Sequence, residues 1–594
     1  MREHRHVVAG KQKVIYVVET AEDLEGFRDF IREHLSFLGL DSETTGLDIY
    51  SEGFRCRTVQ FGTPDEAWVV PVEYGERFRE DVRIALRAVE GFVLHNASFD
   101  LQVIEQTLGI PMEDMWPKVT DTLALSKLVD PRPKDKGGFG HTLEEVVLHF
   151  VDPACDIKGL PAKWAHELKT TKEKVWKVPE LIHHPEFQLY AGMDPIFTAI
   201  LLQKLLPLVP PVSKPLIAYE HRISEICSYV DRNGFLLDTD YTQELSDQLL
   251  ADQQVWEAIA FTEYGIDSVN STEDCAEALE ESGVKISGRT ETGKRKVDKV
   301  LLEQLEEDGN ELAQIIAETK KLGKWRKTWV QKFLDSADAS DRCHTSINPL
   351  QARTSRMSIT GIPAQTLPSG DWSIRRCFLA DDGHLIASVD YQTQELRVLA
   401  ALSGDRAMIE AFRNNEDLHQ ITADAAGVER KVGKMANFQK VYGGGAAALG
   451  KSAGIPFQVA KRVHEAFSAK YPGVEKLNQK LQRDAGQNGY IITPTGRRLP
   501  VDPDRSYSAL NYLIQSSSRD VTCRAIIRLH EAGITPYVRL PIHDEVVLSI
   551  PEQHAESGAA EVGRIMAEQM GPVLIGTDPE VGKRSWGSLY GADY

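Results

Sequence analysis

RKVGKMANFQKVYGGG, residues 430–445, carries Arg430, Lys434, Phe438 and Tyr442, each four residues after the last. At 100° per residue, a step of four advances the helical wheel by only about 40°. The four side chains therefore form one slowly spiralling stripe on a predicted helix. Cations lie at its N-terminal end and aromatics at its C-terminal end. Twelve residues of helix span roughly 18 Å, long enough for one ligand with an anionic tail and a flat head, such as a nucleoside triphosphate. A solvated basic turn running into a core-facing aromatic turn gives the same pattern, so the rest of the chain has to decide.

The chain has 594 residues, a length that suggests about three to five domains. It is 42% hydrophobic and 26% charged, an ordinary globular composition. The absence of any run of about 18 apolar residues predicts no transmembrane helix, and no membrane partner is expected. The N-terminus shows no signal-peptide pattern. Seven cysteines, at 56, 155, 227, 275, 343, 377 and 523, are scattered without CxxC spacing. That fits a reducing cytoplasm, with neither a disulfide framework nor a zinc site. A formal net charge of −20 argues against nucleic acid at first sight. Phosphate binding, however, needs only a local basic surface. Two such stretches are KKLGKWRK (320–327) and KGLPAKWAHELKTTKEKVWK (158–177), each of which is equally readable as a solvated helix face.

Residues 13–205 read as one α/β unit. KVIYVV is a predicted strand, AEDLEGFRDFIREHL an amphipathic helix, and FLGLDSETTGLDIY and TVQFGT further strands. The proline-rich PLVPPVSKP (207–215) is a predicted linker. Residues 216 to about 340 are mostly helical by pattern. HLIASVDYQTQELRVLA (384–400) reads as a strand then a helix, 405–533 as helix-rich, and YVRLPIHDEVVLSI (537–550) as two strands flanking His-Asp-Glu. No internal repeat is visible.

Carboxylates recur in this framework. Asp41 and Glu43 alternate along a strand and share a face. Two carboxylates on one face repel unless a cation lies between them, and a divalent metal serves that role; a solvated strand end is the plainer alternative. LHNASFDLQVI puts Asp100 near His95 and Asn96, and YAGMDPIF puts Tyr190 and Asp194 at i and i+4 on a helix. DSETTG, NASFD and YAGMD, in this order, resemble the three motifs of the DnaQ-like 3′→5′ exonucleases. The resemblance implies that Asp41, Glu43, Asp100 and Asp194 hold two metals, with Tyr190 helping to place the attacking water.

Asp390 ends the apolar run LIASVD, and Asp544 lies between PIH and EVVL. Either alone is readable as a turn aspartate. SVDYQTQELR, RKVGKMANFQKVYGG and PIHDEVVL together resemble motifs A, B and C of the family A DNA polymerases. TSRMS (354–358), PAQTLP (363–368), DLHQITA (417–423), YPGV (471–474), GRRLP (496–500) and NYLIQ (511–515) extend the match from Asp41 to Trp586. The resemblance implies a multidomain α/β and α+β protein, an RNase H-like exonuclease domain followed by a right-hand polymerase domain. Its implied boundaries are 1–205 exonuclease, 206–215 linker, 216–345 thumb, 346–404 first part of the palm, 405–533 fingers with a return to the palm near its end, and 534–594 second part of the palm.

It further implies template-directed DNA synthesis with proofreading. Asp390, Asp544 and the backbone carbonyl of Tyr391 would hold two Mg²⁺ ions, for which Mn²⁺ substitutes, with Glu545 supporting from the opposite face to Asp544. Two metals would also serve the exonuclease. Arg430, Lys434 and His419 would meet the triphosphate, Phe438 the sugar and Tyr442 the templating base. Glu395 would exclude a ribose 2′-hydroxyl. Arg356, Gln365, Asn511, Gln515 and His543 would contact primer or template, partly in the minor groove, where acceptors are nearly the same for all correct pairs. Expected partners are primer-template DNA, dNTPs and replisome proteins; a monomer is expected.

Gln392, Thr393 and Gln394 replace the family's usual Ser, Gln and Ile, Gln439 replaces a glycine, and Tyr507 stands where bacterial members carry arginine. Asp41 comes too early for a 5′ nuclease to precede it, and the divergent motif A resembles phage replicative enzymes, which points to the host cytoplasm. A nuclease with a degenerate polymerase half, a replisome scaffold and a single-subunit RNA polymerase are the rival readings. Intact Asp390, Asp544, Arg430 and Lys434 oppose the first, the full carboxylate set the second, and Glu395 with the proofreading motifs the third.

Overall fold

The structure, a computed structural model, describes residues 1–594 except 156–159, 291–292 and 369. Its first unit is a seven-stranded sheet of β1 (Arg2–Val8), β2 (Lys11–Val17), β3 (Leu38–Thr44), β4 (Cys56–Gly62), β5 (Glu66–Val70), β6 (Phe92–Leu94) and β7 (Val119–Asp121), in the order β1-β2-β5-β4-β3-β6-β7. β3 runs antiparallel to β4 and parallel to β6. Every residue of β4 is buried, as a strand covered on both faces requires. α1 (Ala97–Leu108) helps to cover one face, while α2 (Thr122–Val129) and α3 (Pro185–Leu205) cover the other, giving two separate cores.

Glycine sets how closely α3 lies on the sheet. A Cβ on Gly39 would stand 2.0 Å from the Pro195 carbonyl oxygen, and one on Gly192 would stand 2.3 Å from Ile15. The YAGMD aspartate is thereby brought against β3.

The predicted linker is not an open tether. Its residues form two short 3₁₀ turns, and Ser213 is buried with its hydroxyl donating to the Gly496 carbonyl. It leads into α4 (Leu216–Asn233), which lies between the two halves. On the exonuclease side, the Asp121 N–H donates to His221 Nε2 at 2.7 Å and the Trp116 indole to Ser228 Oγ at 3.0 Å. On the other side, Glu220 meets Arg497 and Arg519, which also bind Asp520, in a buried four-charge cluster. Opposite charges balance there, and removing one would strand another in the interior.

α5 (Thr239–Tyr264) and α6 (Glu311–Lys324) carry a small core of their own. The basic segment ends α6 and widens into a π turn at Trp325–Val330, with Lys321 over Trp325 and Lys324 over Trp329. The other basic stretch includes the helix Leu160–Glu167, but its Lys158 and Gly159 lie outside the described residues.

The second half is built on an antiparallel sheet. β8 (His384–Tyr391) is followed by α7 (Gln394–Ser403), α8 (Leu418–Ala426), α9 (Arg430–Val441) and α10 (Ala509–Glu531). β9 (Val538–Ile542), β10 (Glu545–Pro551) and β11 (Thr577–Val581) complete the order β9-β10-β8-β11. The largest core joins this sheet to α4 and α10.

Candidate active sites

The first centre sits at the end of β3. Asp41, Glu43 and Asp194 offer ligand atoms that all lie within 4.8 Å of one another. Strand alternation supplies the first two, and the close seating of α3 supplies the third. Arg57, whose charge opposes the rise of Glu43, is committed to Glu73 and to the carbonyls of Val178 and Pro179. Asp194 Oδ1 is buried with no hydrogen-bond partner. Burial, then repulsion from Asp100, Asp194 and Glu43, pushes Asp41 well above the usual carboxylate range. Glu43 is raised by burial and then by Asp194 and Asp100. Burial, then Asp100, pushes Asp194 up to about 8. Buried carboxylates in mutual repulsion, one with an orphaned oxygen, fit a divalent cation.

Asp100 stands beside this trio rather than in it. It lies in the first turn of α1, where its Oδ1 accepts from Ser42 Oγ at 2.6 Å. Burial pushes it up to about 7 against that bond. Asn96 begins α1 in the left-handed conformation, at φ 69°, which asparagine tolerates. The Asp121 carboxylate accepts from the N–H groups of Asn96 and Ala97, fixing that entry. Tyr190 faces the cluster. Asp194 first, then burial, then Glu43 and Asp41 raise its hydroxyl. Ser42 and Asp121 were not singled out in the sequence; each becomes visible only once α1 is placed against the sheet.

The second centre lies where β8 meets the β9–β10 turn. His543 and Asp544 form that two-residue turn, with His543 at φ 54°. The Tyr391 N–H donates to the Asp544 carbonyl at 3.1 Å, which ties the turn to the end of β8 beside Asp390. Desolvation, then Asp544 and Glu545, pushes Asp390 up to about 7. Desolvation also raises Asp544 and Glu545. The Tyr391 side chain is buried, its hydroxyl donating to the Met566 carbonyl, so only its backbone faces the site.

The opposite-face expectation for Glu545 needs correction. Asp544 is in a turn, so strand alternation does not relate the two. Glu545 is the direct cross-strand partner of Asp390, which puts both on one face. Its Oε1 accepts from Ser388 Oγ at 2.6 Å. Asp578 pairs with Asp390 from the other side, a neighbour that only the sheet register reveals.

α9 carries Arg430, Lys434 and Phe438 in the predicted stripe, with Tyr442 capping its end. Arg430 Nε donates to Asp417 Oδ2 at 2.5 Å, and Lys434 is exposed. Gly433 lets α9 approach α8, since a Cβ there would meet the His419 carbonyl at 2.4 Å. His419 packs against Phe438 at 5.7 Å, and its Nδ1 accepts from buried Asn437. Burial lowers its pKa, opposed by Asp417 and reinforced by Arg430 and Lys434. A cavity of about 230 Å³ lies between the aromatic end of this wall and Asp544. Arg356, Glu395, Phe438, Tyr442, His543 and Asp544 are among its lining. Glu395 is held from both sides, accepting from Arg356 at 3.0 Å and from the Tyr442 hydroxyl at 2.9 Å.

Of the remaining candidate DNA contacts, Gln365 is occupied within its own segment, accepting from the Ile359 N–H and donating to the Met357 carbonyl. Gln515 and Asn511 share a face of α10. Gln515 accepts from Thr354 Oγ1, and Asn511 Oδ1 is buried without a partner. Desolvation lowers His543, with Arg356 adding.

The departures in motif A have structural roles. Gln392 donates to Asp578 at 2.6 Å and accepts from Arg397. Gln394 donates to Thr522 on α10 at 3.0 Å. Thr393 sits at φ 45°, an outlying conformation for a β-branched residue. Gln439 donates to Ser452 Oγ at 2.8 Å, tying α9 to the following helix. Tyr507 is exposed beside Gly443, and its arginine-to-tyrosine change has no partner that explains it.

Comparison with known proteins agrees with this architecture. Residues 18–210 match the model of the 3′-5′ exonuclease family, and residues 239–588 that of DNA polymerase family A. The chain is 69% identical to the DNA polymerase of Mycobacterium phage L5 and 60% identical to that of Mycobacterium phage D29, with both chains of each pair covered in full. The solved POL domain of Pol1 from M. smegmatis, in complex with DNA primer-template and dNTP, superposes with a TM-score of 0.72 at 21% identity. The match covers 97% of this chain and 99% of that one, and shows the shared fold. The chain belongs to the family A DNA polymerases and carries a 3′→5′ exonuclease domain.

Proposed function

We propose that the two carboxylate centres divide the work of replication, one extending a primer and the other trimming it. The observation that carries this is the pairing of a buried acidic trio on the exonuclease sheet with a second carboxylate pair, Asp544 lining a separate cavity and Asp390 beside it on the sheet. The substrates are primer-template DNA and dNTPs, and the cation is Mg²⁺, two per centre, replaceable by Mn²⁺. When bound, such ions stabilise the attacking and leaving oxygens of an in-line phosphoryl displacement.

In the polymerase, Asp390, Asp544 and the Tyr391 carbonyl would hold the ions, and Glu545 fixes the sheet end through Ser388. Arg430 and Lys434 receive the triphosphate. Phosphate displaces Asp417 from Arg430, exchanging one charge-assisted bond for a bidentate one. His419 adds a phosphate contact. Phe438 packs on the sugar, Tyr442 lies near the templating base, and Glu395 occupies the space of a 2′-hydroxyl. Arg356, Gln365, Asn511, Gln515 and His543 follow the primer-template minor groove.

In the exonuclease, Asp41, Glu43, Asp194 and Asp100 would together hold two ions. The Tyr190 hydroxyl orients the attacking water. Residues 1–205 form the exonuclease, 206–215 the connection, 216–345 the thumb, 346–404 and 534–594 the palm, and 405–533 the fingers. The enzyme works as a monomer alongside replisome proteins, in the cytoplasm of a phage-infected cell. No helix among the described residues is long and apolar enough to cross a membrane.

A recessed primer-template with Mg²⁺ tests the assignment. With dNTPs the primer lengthens, and without them it shortens. Extension by Asp390→Ala, or shortening by Asp41→Ala, would contradict it.

A further inference from the structure

The loop between β3 and β4 directly follows the strand that carries Asp41 and Glu43. Its foot is closed by the Thr45 N–H donating to the Arg55 carbonyl and the Arg55 N–H donating to Thr45 Oγ1. Beyond the foot its tip is exposed, with Leu47 at 84%, while Ile49 is buried. Tyr50 anchors its far side in two directions. The Tyr50 hydroxyl donates to Gln102 Oε1 at 2.9 Å, two residues after Asp100 on α1. Its ring lies face to face with the His344 ring, with centroids 3.7 Å apart and planes 14° apart.

His344 belongs to the polymerase half, and its position is built. Nδ1 faces the Asp231 carbonyl oxygen at 2.8 Å, and Nε2 faces Asp338 Oδ2 at 3.1 Å. A Cβ on Gly234 would come within 2.9 Å of the imidazole, and one on Gly361 within 2.3 Å of the His344 carbonyl. Both glycines have positive φ, so the cradle depends on the absence of side chains. The ring's orientation is fixed by partners on both of its nitrogens. A rigid ring on one half holds a tyrosine that bridges the loop of motif I and the helix of motif II on the other.

We propose that His344 and Tyr50 are positioning residues for proofreading, a stacked clamp that fixes the exonuclease centre relative to the polymerase cavity. It rests on the reading of the two centres given above. The clamp touches none of the metal-binding carboxylates, so it governs where a primer end must arrive rather than how its last phosphodiester is cut. A single strand reaches the exonuclease freely in solution. A primer in a duplex bound by the polymerase half must reach it across a fixed separation.

The test compares two substrates: a single-stranded oligonucleotide and a primer-template with a mismatched primer terminus. In the full chain, Tyr50→Ala and His344→Ala each slow shortening of the duplex primer by about fivefold, as expected for losing one aromatic pair. Shortening of the single strand stays within about twofold of wild type. His344→Phe, which keeps a flat ring, restores more than half of the duplex rate. The double variant is no slower than either single variant, because both changes break the same contact. Equal losses on both substrates would overturn the proposal, as would additive losses in the double variant or an unchanged duplex rate. Failure of wild type to shorten the single strand would instead overturn the exonuclease reading itself.

Discussion

The exonuclease and polymerase centres use the same chemical groups in opposite states of completion. In the first, three carboxylates from a strand and a helix already converge in a buried place, and one oxygen of Asp194 lacks any partner. In the second, Asp390 is exposed at a strand end, Asp544 sits in a turn, and Arg430, proposed to receive phosphate, is paired with Asp417. On the proposed reading, folding alone brings the nuclease carboxylates together against their mutual repulsion, whereas the polymerase site is finished by its substrate, which brings its own charge and displaces the internal partners.

Four tests, with five substitutions, break or sharpen that contrast. The largest effects come from the carboxylates themselves. Asp41→Ala removes primer shortening and Asp390→Ala removes extension, each by about a thousandfold or more, while the other activity stays within about twofold. Steady-state gels on one primer-template read both.

Phe438→Tyr tests whether the polymerase wall acts only with a nucleotide bound. The Phe438 ring lines the cavity without a hydroxyl, and wild type is expected to reject dideoxynucleotides strongly. The tyrosine variant relaxes that rejection by at least about tenfold in a terminator-incorporation assay, leaving primer shortening unchanged.

The third change addresses repulsion. A carboxyl whose value is raised in the folded state keeps its proton there while the unfolded chain ionises. Metal-free stability is therefore lost as pH climbs from the ordinary aspartate range near 3.8 toward about 8 for Asp194. Asp194→Asn removes that penalty. It raises the metal-free Tm of the exonuclease transition by about 2–4 °C or more at pH 8, with little change at pH 4. Differential scanning calorimetry in a chelator reads this. An unchanged Tm at pH 8 would remove the repulsion argument.

The smallest effect is at Gln392→Ser. It deletes the bonds to Asp578 and Arg397 beside Asp390, and slows extension by about two- to fivefold. The exonuclease is untouched. Single-turnover incorporation measures it.

Much of both centres is legible in the sequence because their spacing matches a local period. Asp41 and Glu43 fall two apart on a strand. Tyr190 and Asp194, and Arg430 to Phe438, fall four apart on helices, Asp390 lies at the end of an apolar strand, and Asp544 lies in the turn between two strands. What local spacing cannot carry is register and approach. Glu545 shares a face with Asp390 through the pairing of β8 with β10. Asp194 reaches β3 because Gly39 admits Pro195. Asp100 turns toward Ser42 because of how α1 crosses the sheet end. Gln392 and Gln394 read as unexplained departures until β11 and α10 supply their partners. The stack of Tyr50 on His344 joins residues nearly three hundred positions apart and leaves no trace in either neighbourhood.

The central claim, that one centre is complete without substrate and the other is not, is tested most directly by Mn²⁺ titration of the DNA-free, nucleotide-free chain, followed by electron paramagnetic resonance. The account predicts a tight site that persists in Asp390→Ala and disappears in Asp41→Ala. Loss of that site in Asp390→Ala, or its survival in Asp41→Ala, would contradict it.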